Sequence, residues 1–357
     1  MTVDAASIVD RLWADALSRV LPGGAQASIR PLLGDEVDLL ILQTATSRLV
    51  SSHSGFARVL YTAAYDSAER NAYFTIRRLG MPADFFWKFE QWSETRALSI
   101  MGRVVDRIFA TLLRSQNAGQ LKVESVDVER GRFEVSFADC AECWGARVSG
   151  PACFFHAGTF AGIFGSMLNR RMHCVEIACS AAGHESCRFL VGDDRQIAAR
   201  ADEAISSEPG DYSAEQSAVG HLDGRRRIDV RYYQILLGTA FLPNMDILET
   251  ACLEAGRAVG HEISAQMEKW TDAAESLQRL YSDLGYMRLE LGRQDHETVL
   301  RAQDVPESLG PLSNAAIVPF FCGELESLLN DLTDAGVRFQ SVTRDGDALL
   351  LRFTPQV

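Results

Sequence analysis

Apolar positions along this chain first follow the helical period. In MTVDAASIVDRLWADALSRV, Ile8, Leu12, Leu17 and Val20 fall near one helical face. Similar patterns predict helices over Val37–Ser51, Gly55–Leu79 and Ser93–Ser115. The period then changes. LKVESVDVERGRFEVSF alternates apolar and polar residues on both sides of Glu129-Arg130-Gly131, which predicts a β-hairpin. A short strand at Trp144–Val148, a helix over Ala157–Asn169 and strands at Met172–Ala178 and Ser186–Val191 follow. Helices first and a cluster of antiparallel strands later indicate an α+β fold with helices packed on an antiparallel sheet.

The polar, breaker-rich stretch ADEAISSEPGDYSAEQSAVGHLDG, Ala201–Gly224, interrupts this patterning and is expected to be a linker. The elements on its two sides repeat. LYTAAYDSAER from Leu60 corresponds to LETACLEAGR from Leu248, each a helix pattern with small residues on one side. ACFFHAGTFAGIFGSMLNRRMHCVEI from Ala152 corresponds to VPFFCGELESLLNDLTDAGVRFQSV from Val318. In both, an apolar group enters an amphipathic helix that leads through a polar turn into a strand. The expected organisation is a first domain over 1–200, a linker over 201–224 and a second, related domain over 225–357.

Charge and composition exclude several classes. The 357 residues carry a formal net charge of −13, and no basic run exceeds Arg225–Arg227, so direct nucleic-acid binding is not expected. The first residues lack the basic region and apolar core of a signal peptide, and no apolar stretch is long enough to span a membrane. Eight cysteines without an export signal fit a reducing, cytoplasmic setting, where thiols serve packing, metal or redox chemistry. No nucleophile motif, phosphate-cradling loop or dinucleotide fingerprint is present, which weighs against an enzyme.

Cys153, Glu176, Cys179 and Cys187 form a C-x22-E-x2-C-x7-C spacing. Cys153 would enter a helix, Glu176 and Cys179 end one strand, and Cys187 lie on the next, returned by the loop SAAGHE. Three thiolates and one carboxylate fill a tetrahedral Zn²⁺ shell with no open position, the form of a structural site. Sulfur ligands favour Zn²⁺ over Mg²⁺ or Ca²⁺. Spacing alone leaves buried, metal-free thiols as the alternative.

The segment CFFHAGTFAGIFGSMLNRRMHCVEIACSAAGHESCRFLVG, Cys153–Gly192, resembles the 4-vinyl reductase domain. That domain occurs in bacteriochlorophyll-biosynthesis accessory proteins and in the sensor parts of phenol- and xylene-responsive activators. The family pattern of a Cys before a Gly-rich helix, E-x-x-C and G-x-x-x-C corresponds here to Cys153, Gly158, Gly162, Glu176, Cys179, Gly183 and Cys187. The resemblance implies a structural zinc on Cys153, Glu176, Cys179 and Cys187. It also implies a hydrophobic or aromatic small-molecule ligand between helices and sheet, and action through a homodimer or protein partner. By position, the ligand wall would draw on Phe137, Trp144, Phe155, His156, Phe160 and Phe164. The chain departs from the sensors at Thr159 and Ile163, where they carry tyrosines. The second half keeps the order of elements but lacks the ligand set, so a metal-free, degenerate copy of the domain is expected there. The family also admits a tetrapyrrole-accessory role or a non-catalytic dimeric scaffold.

Cys140 and Cys143 form CAEC at the end of the hairpin, in a strand or loop context. A redox thiol would need a helix N-terminus to lower its pKa, so redox or accessory-metal roles stand second to plain packing. Cys174, Cys252 and Cys322 lie in apolar runs and are expected in the core. His156 and His173 lie near the proposed site but find no place in a closed shell. His184 falls on the hairpin turn, and GRRRIDVRYY is expected to form an element with one wet face.

Overall fold

The computed structural model describes residues 5–20, 28–30, 32–53, 55–78, 82, 84–206, 226–265, 273–306, 319–333 and 336–356. The chain opens with helix α1 (Ala5–Val20), then strand β1 (Glu36–Asp38) and helices α2 (Leu39–Ser52) and α3 (Phe56–Arg78). Helix α4 (Glu94–Val105) continues through a π turn at Asp106–Ala110 into α5 (Thr111–Ser115). Strands β2 (Gln120–Asp127) and β3 (Arg132–Ala138), helix α6 (Phe154–Leu168), strands β4 (His173–Ala178) and β5 (Cys187–Gly192) and helix α7 (Arg195–Ser206) follow. Beyond them come β6 (Arg227–Asp229), α8 (Val230–Leu236), α9 (Met245–Ser264) and α10 (Ala273–Asp283). The chain closes with β7 (Arg288–Gln294), β8 (Glu297–Gln303), α11 (Pro319–Thr333), β9 (Val337–Asp345) and β10 (Ala348–Pro355). This is the mixed helix and antiparallel-sheet composition of an α+β fold.

Two compact units emerge. One comprises Ala5–Ala25 and Val50–Glu215; the other comprises Met1–Asp4, Gln26–Leu49 and Gln216–Val357. The stretch Gln26–Leu49 therefore groups with the C-terminal half, where β1 pairs antiparallel with β6 through Val37 opposite Ile228. Arg30 ties this pairing down. Its fully buried guanidinium donates to the backbone oxygens of Gly34, Glu36, Gly285 and Tyr286.

In the first unit the sheet order is β2-β3-β5-β4, all antiparallel. Phe133, Val135 and Phe137 of β3 alternate inward, as do Phe189 and Val191 of β5. Helix α6 covers this face: Phe164 packs on Phe133 with ring centroids 4.6 Å apart, and Phe160 on Phe189 at 5.0 Å. The other side of α6 lies against α3 with no room for side chains. A Cβ on Gly158 would sit 2.1 Å from the Tyr61 carbonyl oxygen, and one on Gly162 2.4 Å from that of Tyr65. The glycines of GTFAGIFG thus let two helix backbones touch, which leaves α6 buried between sheet and helix.

The second unit repeats this arrangement of elements. Its sheet order is β7-β8-β10-β9, again a hairpin, a helix and a hairpin in the same sequence. Helices α9 and α11 meet through Gly256, Gly260 and Gly323, with Gly256 2.0 Å from the Phe320 carbonyl oxygen by the same measure. These are the segments whose repetition the sequence displays.

Four expectations change. The first part of the linker, Ala201–Ser206, is the end of α7, because Ile197, Ala201 and Ile205 at four-residue spacing are buried along one face, the first two packing on Val175 of β4; residues 207–225 lie outside the described residues. No strand forms at Trp144–Val148. A turn at Cys143–Ala146, with Gly145 at φ 71°, reverses the chain there. The GRRRIDVRYY stretch has no wet face in α8, where Val230–Leu236 is buried throughout and Arg231 is neutralised by Asp35 and Asp229. Helix α6 begins at Phe154, three residues before the predicted start, for a reason that lies in the site itself.

Candidate metal centre

The N-terminus of α6 has no side-chain cap of its own, since the residue before it is Cys153. Two carboxylates from elsewhere in the sequence supply the missing acceptors. Glu142, from the CAEC loop, accepts from the backbone N–H of Phe155 at 2.7 Å and of His156 at 2.8 Å. Glu176 Oε2, from β4, accepts from the backbone N–H of Ala152 at 2.7 Å and of Cys153 at 3.0 Å. Free N–H groups and the helix dipole favour negative charge at this end, so the helix gains its first turn from charges that the sequence spaces far away. Replacing Glu142 by Ala would leave two buried N–H groups unpaired and is expected to cost roughly 3 kcal/mol, lowering Tm by about 6–12 °C. Thermal unfolding followed by circular dichroism measures this, and Glu142→Gln, which keeps one acceptor, should recover part of the loss.

Around this helix start the sulfurs converge. Cys153, Glu176, Cys179 and Cys187 are all buried, with one donor atom of each within 4.8 Å of the others. Cys187 begins β5 opposite Phe137 of β3, so its side chain points to the face that α6 covers. A β-bulge between Glu176 and Ala178 leaves Ile177 outward and turns Glu176 inward and Cys179 toward the same point. The Cys153 and Cys187 sulfurs are 3.7 Å apart. Glu176 uses only one oxygen on the helix; its other oxygen, Oε1, is buried without a hydrogen-bond partner. An orphaned carboxylate oxygen beside three thiols is the donor set that a thiophilic divalent cation takes.

The CAEC pair belongs to the same cluster. Cys140, Cys143, Cys153 and Cys187 form a second mutually close set. Cys140 and Cys153 sulfurs are 3.5 Å apart, and those of Cys143 and Cys187 3.4 Å. Sequence reasoning places these two thiols second because no helix starts at CAEC. The helix start that matters is α6, thirteen residues further on, reached by Glu142 between them. The C-x-x-C spacing is the signal that points to them. Ser180 adds a backbone N–H to the Cys187 sulfur at 3.4 Å.

Protonation follows from burial and crowding. In the metal-free protein, burial pushes the Cys153 thiol well above its ordinary range, and burial together with the Cys187 charge does the same for the Glu176 carboxyl. Cys187 moves the other way: hydrogen bonds from Cys140, Cys143, Cys153 and Cys179 stabilise its thiolate. A cation entering the cluster thus meets one thiolate and displaces protons from the remaining donors.

The residues expected to line a ligand site are also placed. Phe137, Phe155, His156, Phe160 and Phe164 are buried, and Trp144 is half-buried on the turn after Cys143. His156 lies between them and the sulfurs. Its ring is 4.6 Å from Phe137 and stacked on Phe160 at 6.0 Å, while Nδ1 meets Glu142 Oε2 at 2.8 Å and the Cys140 sulfur at 3.6 Å. Phe164 sits further along α6, on Phe133. His173 is partly buried on β4, and His184 is exposed on the turn. Cys174, Cys252 and Cys322 are buried.

Comparison with known proteins bears on this segment. Residues 133–193, from β3 through β5, match the profile of the 4-vinyl reductase domain. The chain carries a 4-vinyl reductase domain. An uncharacterized protein of Methanocaldococcus jannaschii is 32% identical over 78 residues, which is 22% of this chain and 41% of that protein, so the match spans about two fifths of the relative's length. Two solved structures are similar over part of the chain. The phenol-responsive sensory domain of the transcription activator PoxR, solved with phenol, is 17% identical, with a TM-score of 0.34 over 47% of this chain and 81% of its own. A trafficking protein particle complex subunit 3 from Naegleria fowleri, covalently bound to palmitic acid, is 12% identical, with a TM-score of 0.31 over 43% of this chain and 93% of its own. The 4-vinyl reductase segment holds every residue of the sulfur cluster, and no helix among the described residues is long and apolar enough to cross a membrane.

Proposed function

We propose that the protein is a cytoplasmic, zinc-stabilised sensory or carrier module. Its 4-vinyl reductase unit binds a hydrophobic or aromatic small molecule and signals through a homodimer or protein partner. The observation that carries this reading is the unpartnered, buried Glu176 Oε1 among Cys153, Cys179 and Cys187 within the matched segment. Zn²⁺ on these four donors would supply a closed, non-catalytic shell. Cys153 would fix the start of α6, Glu176 and Cys179 the end of β4, and Cys187 the start of β5. The helix is thereby held at one angle over the sheet, with the Phe137, Phe155, His156, Phe160 and Phe164 wall and nearby Trp144 between them.

The second unit fits a degenerate copy without the metal set, supported by the repeated sheet order and the glycine-mediated pairing of α9 with α11. Cys322, in the position along α11 nearest to the Cys153 end of α6, has no companion donors in either sulfur set.

A small apolar ligand such as phenol tests the binding reading. At a hundredfold excess over Kd, a ligand selective for the folded state adds about 2.7 kcal/mol, a shift of several degrees in Tm. Phenol and naphthalene titrations followed by thermal unfolding, with native mass spectrometry for a co-purified ligand, are expected to show such a shift or an added mass. A second reading, a non-catalytic scaffold, draws on the mutual packing of Phe137, His156 and Phe160, which leaves a ligand to enter by moving a ring. No shift and no added mass would favour the scaffold.

A further inference from the structure

The cluster holds more donors than one tetrahedral ion can use. Five cysteine sulfurs and one carboxylate fall into two sets of four, Cys140, Cys143, Cys153 and Cys187 on one hand and Cys153, Glu176, Cys179 and Cys187 on the other. The sets share Cys153 and Cys187 alone, and neither takes in the pair Cys140–Cys143 together with the pair Glu176–Cys179. That is the connectivity of two tetrahedra joined along an edge. A tetrahedral zinc-thiolate shell with bonds of about 2.3 Å has sulfurs about 3.8 Å apart along each edge. The sulfur separations here are 3.5 Å for Cys140–Cys153, 3.4 Å for Cys143–Cys187 and 3.7 Å for the shared Cys153–Cys187 edge.

We propose that the cluster binds two divalent thiophilic ions, one on each set, with the Cys153 and Cys187 thiolates bridging them. The inference rests on the zinc reading above and adds a second ion to it. Charge supports the addition. One divalent ion on three thiolates and a carboxylate, with Cys140 and Cys143 as neutral thiols, leaves two negative charges in the cluster. A second divalent ion that displaces those two thiol protons leaves the same two charges, so it enters a buried site at no cost in net charge. The single-ion form instead leaves two buried thiols crowded against metal-bound sulfur. The loop is already built for the ion: Cys140 and Cys143 flank Glu142, whose carboxylate is fixed on the N–H groups of Phe155 and His156. The second ion would therefore pin the hairpin end to the start of α6, as the first pins β4 and β5 to it. His156 is not needed as a ligand, because its Nδ1 is engaged by Glu142 Oε2 at 2.8 Å.

The test uses the full chain, purified without added metal. Native mass spectrometry against the denatured mass gives the ions per chain, and elemental analysis of the same sample identifies them. Two divalent ions per chain are expected. The Cys140→Ser, Cys143→Ser double variant should retain one, and the Glu176→Gln, Cys179→Ser double variant should also retain one, on the opposite set. Because either variant could fold poorly, cadmium NMR of the wild-type protein gives an independent readout: two cadmium resonances, with the β-protons of Cys153 and Cys187 coupled to both. One ion in the wild type, unchanged by the Cys140→Ser, Cys143→Ser pair, would overturn the second ion and leave the single-zinc reading standing. No ion at all would overturn both. Iron with acid-labile sulfide would overturn the pair of isolated ions and the zinc assignment together.

Discussion

Replacing Cys187 by Ala is expected to release the bound metal and unfold the 4-vinyl reductase unit at temperatures where the wild type is intact. Cys187 is fully buried and belongs to both sulfur sets, so no arrangement of the remaining donors replaces it. Metal binding and folding are one equilibrium in such sites, because the unfolded chain does not hold the ligands together. Its loss also strips partners from Cys143, Cys153 and Ser180, each of which meets the Cys187 sulfur within 3.7 Å. The cost is on the order of 5 kcal/mol or more, the range reserved for loss of a metal or a buried network. For a unit of this size that is roughly 10–20 °C in Tm. Calorimetry with and without a chelator measures it: the chelator should lower the wild-type transition toward that of the variant and leave the variant unchanged. Cys322→Ala, a substitution in the other unit, should leave the metal content at its wild-type value. A Cys187→Ala protein that kept its metal and its melting temperature would show that the sulfurs are packing and nothing more.

Gly158→Val is expected to be as damaging, without touching a ligand. An added Cβ would lie 2.1 Å from the Tyr61 carbonyl oxygen, 2.9 Å from its carbonyl carbon and 3.0 Å from the Ala64 Cβ. The first two are backbone atoms of α3, which cannot step aside as a flexible side chain would. The helices must separate, and with α6 wedged between α3 and the sheet, the separation opens the aromatic core at Phe160 and Phe164. Overpacking of this kind costs about 3 kcal/mol or more. It should appear as a lower Tm and as faster amide exchange along α3 and α6. Gly102→Ala in α4 supplies the contrast: nothing lies within 4 Å of its added Cβ. There the gain in helix propensity should stabilise the protein by up to about 1 kcal/mol.

Both expectations show which features a sequence makes legible. Alternation in β2 and β3 and the repeated helix patterns report burial directly, so the hairpin, α3, α6 and the last two strands of the 4-vinyl reductase segment fall within a few residues of their predicted places. The spacing of Cys153, Glu176, Cys179 and Cys187 predicts a convergence that depends on one bulge and one tight turn, both local. What stays hidden depends on partners distant in sequence. Helix α6 starts at Phe154 because Glu142 and Glu176 satisfy its first N–H groups, and no local capping residue announces that. Cys140 and Cys143 join the cluster through a loop whose course is set by those same bonds, so a C-x-x-C motif in a loop context looks idle. The grouping of Gln26–Leu49 with the C-terminal half rests on the β1–β6 pairing and on Arg30, a cation that becomes buried only once four backbone oxygens converge on it. Ala201–Ser206 reads as linker because its charged residues mask an apolar stripe, Ile197, Ala201 and Ile205, that only a partner strand gives meaning.

The most direct test of the metal-braced 4-vinyl reductase unit is X-ray absorption at the zinc edge of the full-length chain purified without added metal. The donors assembled around Cys153 and Cys187 predict a zinc shell dominated by sulfur at about 2.3 Å, with a minor contribution from the Glu176 oxygen, which Glu176→Gln should alter. A shell of nitrogen and oxygen alone, or no zinc signal, would contradict the account.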